Sequence, residues 1–386
     1  MLLKGLKVVE YATYIAAPGA GGILADWGAD VIKIEPPGGD PIRRFFATIG
    51  AEAEGNPVFD MDNRGKRSVI LDTASDQGKE ALRRLAAGAD VFLTNVRPGG
   101  LSRAGLDDAG LRAVNPRLIY ASVTGYGLEG PDADRPGFDM AAFWSRSGMA
   151  RLMTPKGQEP FPIRTAMGDH IASLATASAI LAALYERERT GVGRLVETSL
   201  VRAATYAMGS DLAIQLAYGK VASNRARHEA VNPIANFFAT ADQRWLCVLP
   251  RQTEKDWVAM CAALGAEHLS ADPRFARASD RRKNGPALVD ALDAVFSGMT
   301  LAEAGTRLDA HDLVWAPVQT MAEAAADPQL AAAGCFADVP DGRGGAFRAP
   351  AGPARFPGAD DGPKGPSPKP GEHTAQVLAE IGMAGG

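Results

Sequence analysis

An acidic residue ahead of a long apolar segment is the strongest candidate for chemistry in this sequence. Asp169 follows Gly168, and apolar residues recur at helical spacing from Ile171 to Tyr185. We expect the backbone N–H groups at the start of that helix, together with the helix dipole, to hold the Asp169 carboxylate in its ionised form. Such a carboxylate could attack an acyl group, and the backbone donors could stabilise the oxyanion that forms.

Helix capping is the plainer interpretation of the same residue. Aspartate is a preferred N-cap residue, and a cap contributes about 1 kcal/mol without any chemistry. On local physics alone, capping is favoured over nucleophilic catalysis at Asp169. His170 comes next, but adjacent residues of a helix point apart, so we interpret His170 as a packing or surface residue. The five histidines of the chain show no metal-binding spacing, and we expect no metal.

A glycine-rich segment offers a second possible chemistry. Gly19, Gly21 and Gly22 follow a predicted strand at residues 6–11, in a predicted turn at residues 16–22. Glu35 ends the next predicted strand. This order imitates the dinucleotide-binding fingerprint, but Leu24 stands at its last glycine position and Glu35 comes early. Nicotinamide or flavin binding is therefore an alternative to acyl chemistry.

Basic and amide side chains follow several predicted strands. Arg43, Asn95, Arg97 and Arg103 lie in segments that a parallel sheet would bring to one edge. Arginine binds phosphate through two parallel hydrogen bonds, so this edge suits coenzyme A or a nucleotide. The competing interpretation is a set of ordinary solvated loop charges.

The elements that must position these residues alternate between strand and helix. Predicted strands at residues 6–11, 30–35, 68–71, 91–95 and 118–123 are separated by predicted helices. Parallel strands require such crossovers, so we predict an α/β fold with an open, Rossmann-like parallel sheet. The predicted domains are a large one at residues 1–220, a smaller α+β domain at residues 232–318, and a segment at residues 325–386 that returns to the large domain.

Composition limits the classes of partner. The chain has 386 residues, 46% of them hydrophobic, and a formal net charge of −4. That charge argues against a nucleic-acid or membrane partner. Cys247, Cys261 and Cys335 match no metal-binding pattern and are predicted to be reduced. We identify no signal peptide and no apolar run of about 20 residues, and so expect a cytoplasmic protein.

Motifs spread along the chain resemble the class III CoA-transferases, which include the formyl-CoA, carnitine and bile-acid CoA-transferases. The matching stretches, in the order of that family, are residues 6–12, 29–35, 63–71, 95–99, 126–127, 136–139, 168–169 and 370–374. The resemblance implies a Rossmann-like domain built from both chain ends, a small domain, and two ring-shaped subunits interlocked as a homodimer.

The resemblance also implies a reaction. Asp169 takes the place of the family nucleophile, attacks an acyl-CoA thioester to give a mixed anhydride, and then becomes an aspartyl-CoA thioester that an acceptor acid consumes. CoA is a substrate, and no bound metal or redox cofactor is required. The candidate CoA-binding residues are Ala16, Arg43, Leu71, Thr73, Asn95, Val96, Arg97, Arg103 and Asp139.

Two departures from the family pattern are informative. Formyl-CoA transferases cover their intermediate with a glycine-rich loop, whereas the corresponding residues 249–252 contain no glycine, which predicts an acceptor larger than oxalate. Racemases of the same superfamily carry a histidine where this chain has Phe138, and a phenyl ring is neither acid nor base. An acyl-CoA racemase and a non-catalytic CoA- or nucleotide-binding module are the alternative functions. Residues 143–148 are similar to the branch acting on 2-hydroxy, aryl-propenoic or bile acids.

Overall fold

A six-stranded parallel sheet organises the larger part of the molecule. The computed structural model describes residues 1–48, 55–251 and 254–383. The strands are β1 (Lys7–Tyr11), β2 (Asp30–Glu35), β3 (Arg67–Ile70), β4 (Val91–Thr94), β5 (Ile119–Thr124) and β6 (Leu195–Ser199). They pair in the order β3-β2-β1-β4-β5-β6, every pair parallel. This is the order of a doubly wound sheet, so the predicted α/β class is confirmed.

Helices cover this sheet because its strands are apolar on both faces. Val8, Val9, Val91 and Phe92 are all at most 1% exposed, as expected for parallel strands buried between helices. The helices of this part are α1 (Ala16–Asp26), α2 (Phe45–Thr48), α3 (Pro57–Asn63), α4 (Asp76–Ala87), α5 (Pro98–Ala104), α6 (Asp108–Val114), α7 (Met149–Met153), α8 (Met167–Thr190), α9 (Leu200–Ala207) and α10 (Gly209–Tyr218). A π-helix at Asp139–Arg146 and a 3-10 helix at Pro41–Arg44 complete it.

The glycine-rich segment lies inside helix α1, so the predicted turn at residues 16–22 is wrong. A Cβ atom on Gly21 would lie 2.0 Å from Oε2 of Glu10, and one on Gly19 would lie 2.5 Å from Oγ of Ser173. The glycines therefore let α1 pack closely on the sheet and on α8. Their spacing reflects packing, which removes the main support for a dinucleotide fingerprint.

Helix α8 begins earlier than its apolar pattern predicts. It starts at Met167, and its N-cap residue is Ala166, with φ of 69°. The helix ends at Gly191, whose φ of 73° is in the left-handed region that suits glycine. By length and composition alone α8 could cross a membrane. Core helices of folded proteins pass the same test, and Ala172, Thr176 and Ile180 of α8 are buried within the protein.

The second compact unit, Leu152–Pro160 and Ala222–Leu330, has a core of its own. Strands β7 (Asn236–Ala239), β8 (Trp245–Val248) and β9 (Trp315–Pro317) form an antiparallel sheet, with a 3-10 helix at Arg227–Glu229 before them. The helices are α11 (Glu254–Leu264), α12 (Glu267–Ala271), α13 (Ala278–Lys283), α14 (Gly285–Phe296), α15 (Leu301–Asp309) and α16 (Met321–Ala326). Trp257, Phe238 and Phe296 are buried at its centre. Strands β7 and β8 form a β-hairpin.

The C-terminal residues belong to the same compact unit as the six-stranded sheet, which consists of Met1–Arg151, Phe161–Val221 and Ala331–Gly386. They begin within α17 (Pro328–Ala332), whose first three residues belong to the second unit. The elements that follow are the antiparallel pair β10 (Phe336–Pro340) and β11 (Ala346–Pro350), and α18 (Thr374–Glu380). Strand β3 donates from Ser68 N–H to His373 Nδ1 at 3.2 Å and from Ile70 N–H to Thr374 Oγ1 at 3.1 Å. The chain end is therefore bonded to the edge strand. The domain boundaries given above stay predictions.

Candidate active site

A cleft opens at the carboxyl edge of the sheet, where the strand order reverses between β1 and β4. Its lining includes Tyr14, Ala16, Asn95, Arg97, Phe138 and Asp169, and it encloses about 610 Å³ including its open mouth. Ligands of doubly wound proteins bind at this reversal, because loops on either side diverge there and leave a crevice. The cleft is thus the expected place for a substrate.

Hydrogen bonds tie together the two loops that flank the reversal. Asn95 accepts from Thr13 N–H at 3.1 Å and donates from its amide to the Thr13 carbonyl at 2.7 Å. Thr94 Oγ1 donates to the Tyr11 carbonyl at 2.8 Å. Asn95, predicted to bind CoA, therefore also fixes the floor of the cleft.

The Asp169 carboxylate is not the cap of its helix. Asp169 is the third residue of α8, and within the described residues its side chain has no hydrogen-bond partner. Asp139 fulfils that role instead, since its Oδ2 accepts from Gly168 N–H at 3.3 Å. The capping interpretation of Asp169 is wrong, because a carboxylate from 29 residues earlier in the chain occupies the start of the helix.

Burial and a second carboxylate make Asp169 a weak acid. Burial, followed by the charge of Asp139, raises the pKa of Asp169 to about 7, with His170 opposing the rise. Burial also raises the pKa of Asp139, whose Oδ1 is buried without a hydrogen-bond partner in the described structure. The expectation that the helix start would hold Asp169 fully ionised is therefore incorrect, since desolvation outweighs the backbone dipoles at this position.

His170 faces a different neighbour. Its Nε2 lies 3.1 Å from Oδ1 of Asp62 on helix α3, and its side chain is 35% exposed. Burial lowers the pKa of His170, but the hydrogen bond and charge of Asp62 outweigh it and leave the pKa above the usual value. His170 is thus bonded to Asp62 and not to Asp169. Its charge keeps the pKa of Asp169 lower than burial and Asp139 alone would make it.

A buried set of charges supports the loop after β1, and no local sequence pattern indicates it. Lys33 lies 3.1 Å from Oε1 of Glu10 and 2.8 Å from Oδ2 of Asp40, and Lys66 lies 2.6 Å from Oε2 of Glu10. All four residues are at most 3% exposed. Asp40 Oδ1 also accepts from Tyr14 N–H at 3.1 Å, so this buried charge network reaches the cleft.

The cleft gathers four of the predicted site residues, namely Ala16, Asn95, Arg97 and Asp169. The other six have different surroundings. Arg43 forms two bonds to Glu35, at 2.7 and 2.6 Å. Thr73 Oγ1 lies 2.8 Å from the Tyr11 hydroxyl, and Leu71 and Val96 pack in the sheet core. Arg103 is exposed in the last turn of α5. Asp139 is buried at the start of α8.

The partners of Glu35 argue against a dinucleotide site. Its carboxylate is fully buried and accepts from Arg43, from Ser68 Oγ at 2.6 Å and from Asp40 N–H at 2.8 Å. Burial raises the pKa of Glu35, but these hydrogen bonds outweigh it and lower the pKa. A carboxylate engaged in this way has no free oxygen to offer a ribose hydroxyl.

Sequence reasoning missed two cleft residues, Tyr14 and Arg135. Thr124, at the carboxyl end of β5, and Phe138, in the matching stretch 136–139, also line the cleft. Tyr14 carries no sequence signal, because its φ of 64° is visible only in the folded chain.

One group of possible metal ligands occurs among the described residues, and none of its members lines the cleft. His228, Asp290 and Asp293 bring three ligand atoms together in the second unit. Arg227 already binds Asp293 through both guanidinium nitrogens, at 2.8 and 2.5 Å. A cation there would compete with that guanidinium, so the group does not form a convincing metal site.

The fold and the cleft define a doubly wound α/β protein with an acidic residue at its ligand-binding edge. The sequence matches the profile of CoA-transferase family III from residue 3 to residue 374. The chain therefore belongs to CoA-transferase family III.

Individual relatives carry CoA-transferase names. The chain is 33% identical over 384 residues to the (R)-2-hydroxy-4-methylpentanoate CoA-transferase of Clostridioides difficile, covering 99% of this chain and 96% of that one. It is 37% identical over 279 residues to the cinnamoyl-CoA:phenyllactate CoA-transferase of Clostridium sporogenes, covering 71% and 67%. A crystal structure of a CAIB/BAIF family protein from Brucella suis matches with a TM-score of 0.87 and 34% identity, covering 98% of this chain and 99% of that one.

Proposed function

We propose that this protein is an acyl-CoA:carboxylate CoA-transferase and that Asp169 is its covalent nucleophile. The observation that carries the proposal is that Asp139 and Asp169 have different surroundings. Asp139 satisfies the start of α8, which leaves the Asp169 carboxylate without a partner and facing the cleft. Membership of the family and the names of the relatives support the same activity.

The raised pKa of Asp169 suits a nucleophile. With a pKa of about 7, a large fraction of the side chain is ionised at neutral pH. The ionised form is more basic than an ordinary aspartate, and it is less hydrated because it is partly buried. Both properties favour attack on a thioester carbonyl.

The reaction proceeds through two kinds of covalent aspartyl species. An oxygen of Asp169 attacks the thioester carbon of the donor, the C–S bond breaks, and CoA leaves as a thiolate, giving a mixed anhydride. The thiolate then attacks the aspartyl carbonyl, which releases the donor acid as a carboxylate and leaves an aspartyl-CoA thioester. The acceptor carboxylate repeats these steps in reverse order and regenerates Asp169. No proton or electron is gained or lost, and the thioester's energy is retained when water is excluded.

CoA is proposed to enter along Asn95 and Arg97, beside Ala16, at the carboxyl ends of β1 and β4. Arg97 is exposed at the N-cap of α5, where a guanidinium can bind a phosphate. Contacts at Arg43, Leu71, Thr73, Val96, Arg103 and Asp139 stay predictions. Residues 249–252, compared above with a covering loop, include Gln252, which lies outside the described residues.

We further propose an interlocked homodimer in the cytoplasm. Helix α10 has no buried residue, and its Leu216 and Tyr218 are 84% and 76% exposed. An apolar surface of this kind is typical of a protein interface. A second copy of the chain would cover it.

Trapping of the intermediate tests the mechanism. The protein is incubated with an acyl-CoA, treated with hydroxylamine and digested, and we expect mass spectrometry to find a hydroxamate on Asp169. Asp169→Ala should lower transfer of labelled acid into acyl-CoA by more than about 1,000-fold, as for other covalent nucleophiles. Glu129→Gln, an exposed acid, serves as the control.

Full transferase activity in Asp169→Ala, or a hydroxamate on another residue, would refute the assignment. Entry of solvent deuterium at the α-carbon without exchange of acids would indicate a racemase. CoA-dependent thermal stabilisation without any exchange would indicate a binding module.

A further inference from the structure

Two aromatic side chains are exposed inside the Asp169 cleft. Tyr14 and Phe138 are 40% and 57% exposed, and their rings meet edge to face with centroids 5.4 Å apart. Both line the cleft that contains Asp169. Exposed apolar surface within a concave site is typical of ligand contact. The pair therefore offers an apolar wall to whatever enters the cleft.

Both rings belong to segments that contact the first two turns of α8. Phe138 precedes Asp139, whose Oδ2 accepts from the N–H of Gly168. The loop that carries Tyr14 continues to Ala16, whose carbonyl accepts from Ser173 Oγ at 2.7 Å. The same hydroxyl lies 2.9 Å from the Asp169 carbonyl oxygen. An acyl group bonded to Asp169 would lie beside these rings, whereas the adenine of CoA is separated from the reacting sulfur by the whole pantetheine arm.

The structure holds Tyr14 in place at an energetic cost. Its φ of 64° is in the left-handed region, which is strained for a non-glycine residue. The N–H of Tyr14 donates to Asp40, and Asp40 is in turn held by the buried Lys33. The buried charge network thus holds the backbone of Tyr14, whose ring packs edge to face on Phe138.

The charges near the wall disfavour a second carboxylate. Two arginines line the described cleft. Arg97 is on the loop after β4, the proposed CoA side, and Arg135 lies 3.4 Å from Asp132. A dicarboxylic acid would lose hydration of its distal carboxylate against the two rings unless that carboxylate displaced Asp132 from Arg135.

We propose that Tyr14 and Phe138 form the wall that selects the acid, so that CoA is transferred between carboxylic acids with branched or aromatic apolar side chains. This inference rests on the proposed function. Because donor and acceptor acids are bonded in turn to the same Asp169, both contact the same wall. The two acids of the natural reaction therefore belong to one chemical class.

Exchange of labelled acids into their CoA esters tests the wall. Wild-type protein, Phe138→Ala, Phe138→Leu and Tyr14→Phe are compared on acetate, succinate, 3-methylbutanoate and 3-phenylpropanoate, each with its own acyl-CoA. Wild type should show a kcat/KM for the two apolar acids at least about tenfold above that for acetate or succinate. Phe138→Ala should lower kcat/KM for 3-phenylpropanoate by about 10- to 100-fold and for acetate by less than about threefold.

The conservative variants and a distant control sharpen the result. Tyr14→Phe keeps the ring and should retain the wild-type preference, and Phe138→Leu should lose less than Phe138→Ala. Tyr185→Ala, with an exposed ring near the other end of α8, should change nothing. Activity on acetate shows that Phe138→Ala is folded.

Four outcomes would overturn the inference. An equal loss on all acids in Phe138→Ala, or a wild-type preference for succinate, would refute the wall while Asp169-dependent exchange stands. A raised KM for acyl-CoA with unchanged acid preference would place the rings on CoA instead. If no acid exchanges and no Asp169 adduct forms, the proposed function itself fails, and the inference fails with it.

Discussion

The sheet-bearing unit contains two groups of buried charges that differ in how fully they are paired. In the buried charge network, Glu10, Lys33, Asp40 and Lys66 each lie within 3.1 Å of an opposite charge. At the start of α8, Asp139 and Asp169 are two carboxylates with no arginine or lysine bonded to them among the described residues, and His170 is bonded to Asp62.

The difference separates a structural role from a chemical one. The buried charge network is neutral, and in it the charges of Glu10 and Asp40 outweigh burial and raise the pKa of Lys33. The aspartate pair is left with a raised pKa at both residues. Carboxylates that are desolvated and placed together at a cost in stability are typical of functional sites.

Removal of one charge from the network should produce the largest change in stability. Lys33→Met leaves Glu10 and Asp40 buried with Lys66 as their remaining cation, and we expect a loss of about 3–5 kcal/mol in the free energy of unfolding. Chemical denaturation measures this loss. Lys79→Met, which breaks the exposed pair with Asp76, should cost less than about 1 kcal/mol. Similar losses in both variants would mean that the network is not structural.

Neutralisation of Asp169 should raise the free energy of unfolding, by less than Lys33→Met lowers it. The folded-state pKa of Asp169 is raised, so the folded protein loses stability as pH rises from about 4 through about 7. A rise of about three pKa units corresponds to roughly 4 kcal/mol, and solvent screening of this partly exposed carboxylate reduces that figure. Asp169→Asn removes the loss and should be more stable than wild type by roughly 1–2 kcal/mol at pH 8, with no difference below pH 4. Denaturation curves at both pH values test this. A variant less stable than wild type at pH 8 would contradict the assigned burial of the charge.

Neutralisation of Asp139 should produce the smallest of the three effects, a shift in the pH dependence of kcat/KM. The reaction needs ionised Asp169, so kcat/KM should rise with pH through about 7. In Asp139→Asn the neighbouring charge is gone, and this acidic limb should move down by about half a unit to one unit. The pH profile of kcat/KM measures the shift, with Glu129→Gln as a control of equal charge change. An unmoved limb would show that the two carboxylates are not coupled.

Features that depend on local pattern could be predicted from the sequence. The strands of the sheet appear as short apolar runs because both faces of a parallel strand are buried. Asp169 and Asn95 were identified because each stands next to an element boundary. The glycines of α1 were misinterpreted, because a glycine needed for close helix packing has the same appearance in sequence as one needed for a phosphate loop.

The sequence by itself determined the alternation of strands and helices, the family, and the position of one acidic residue at the start of a helix. Only the tertiary structure decided that Asp139 caps α8, that Arg43 is bound to Glu35, and that Tyr14 reaches the cleft. Asp139 and Gly168 are 29 residues apart, and Lys66 and Glu10 are 56 residues apart. The physical reason is that partners, burial and pKa depend on which distant side chains the fold brings together, and no local pattern records that.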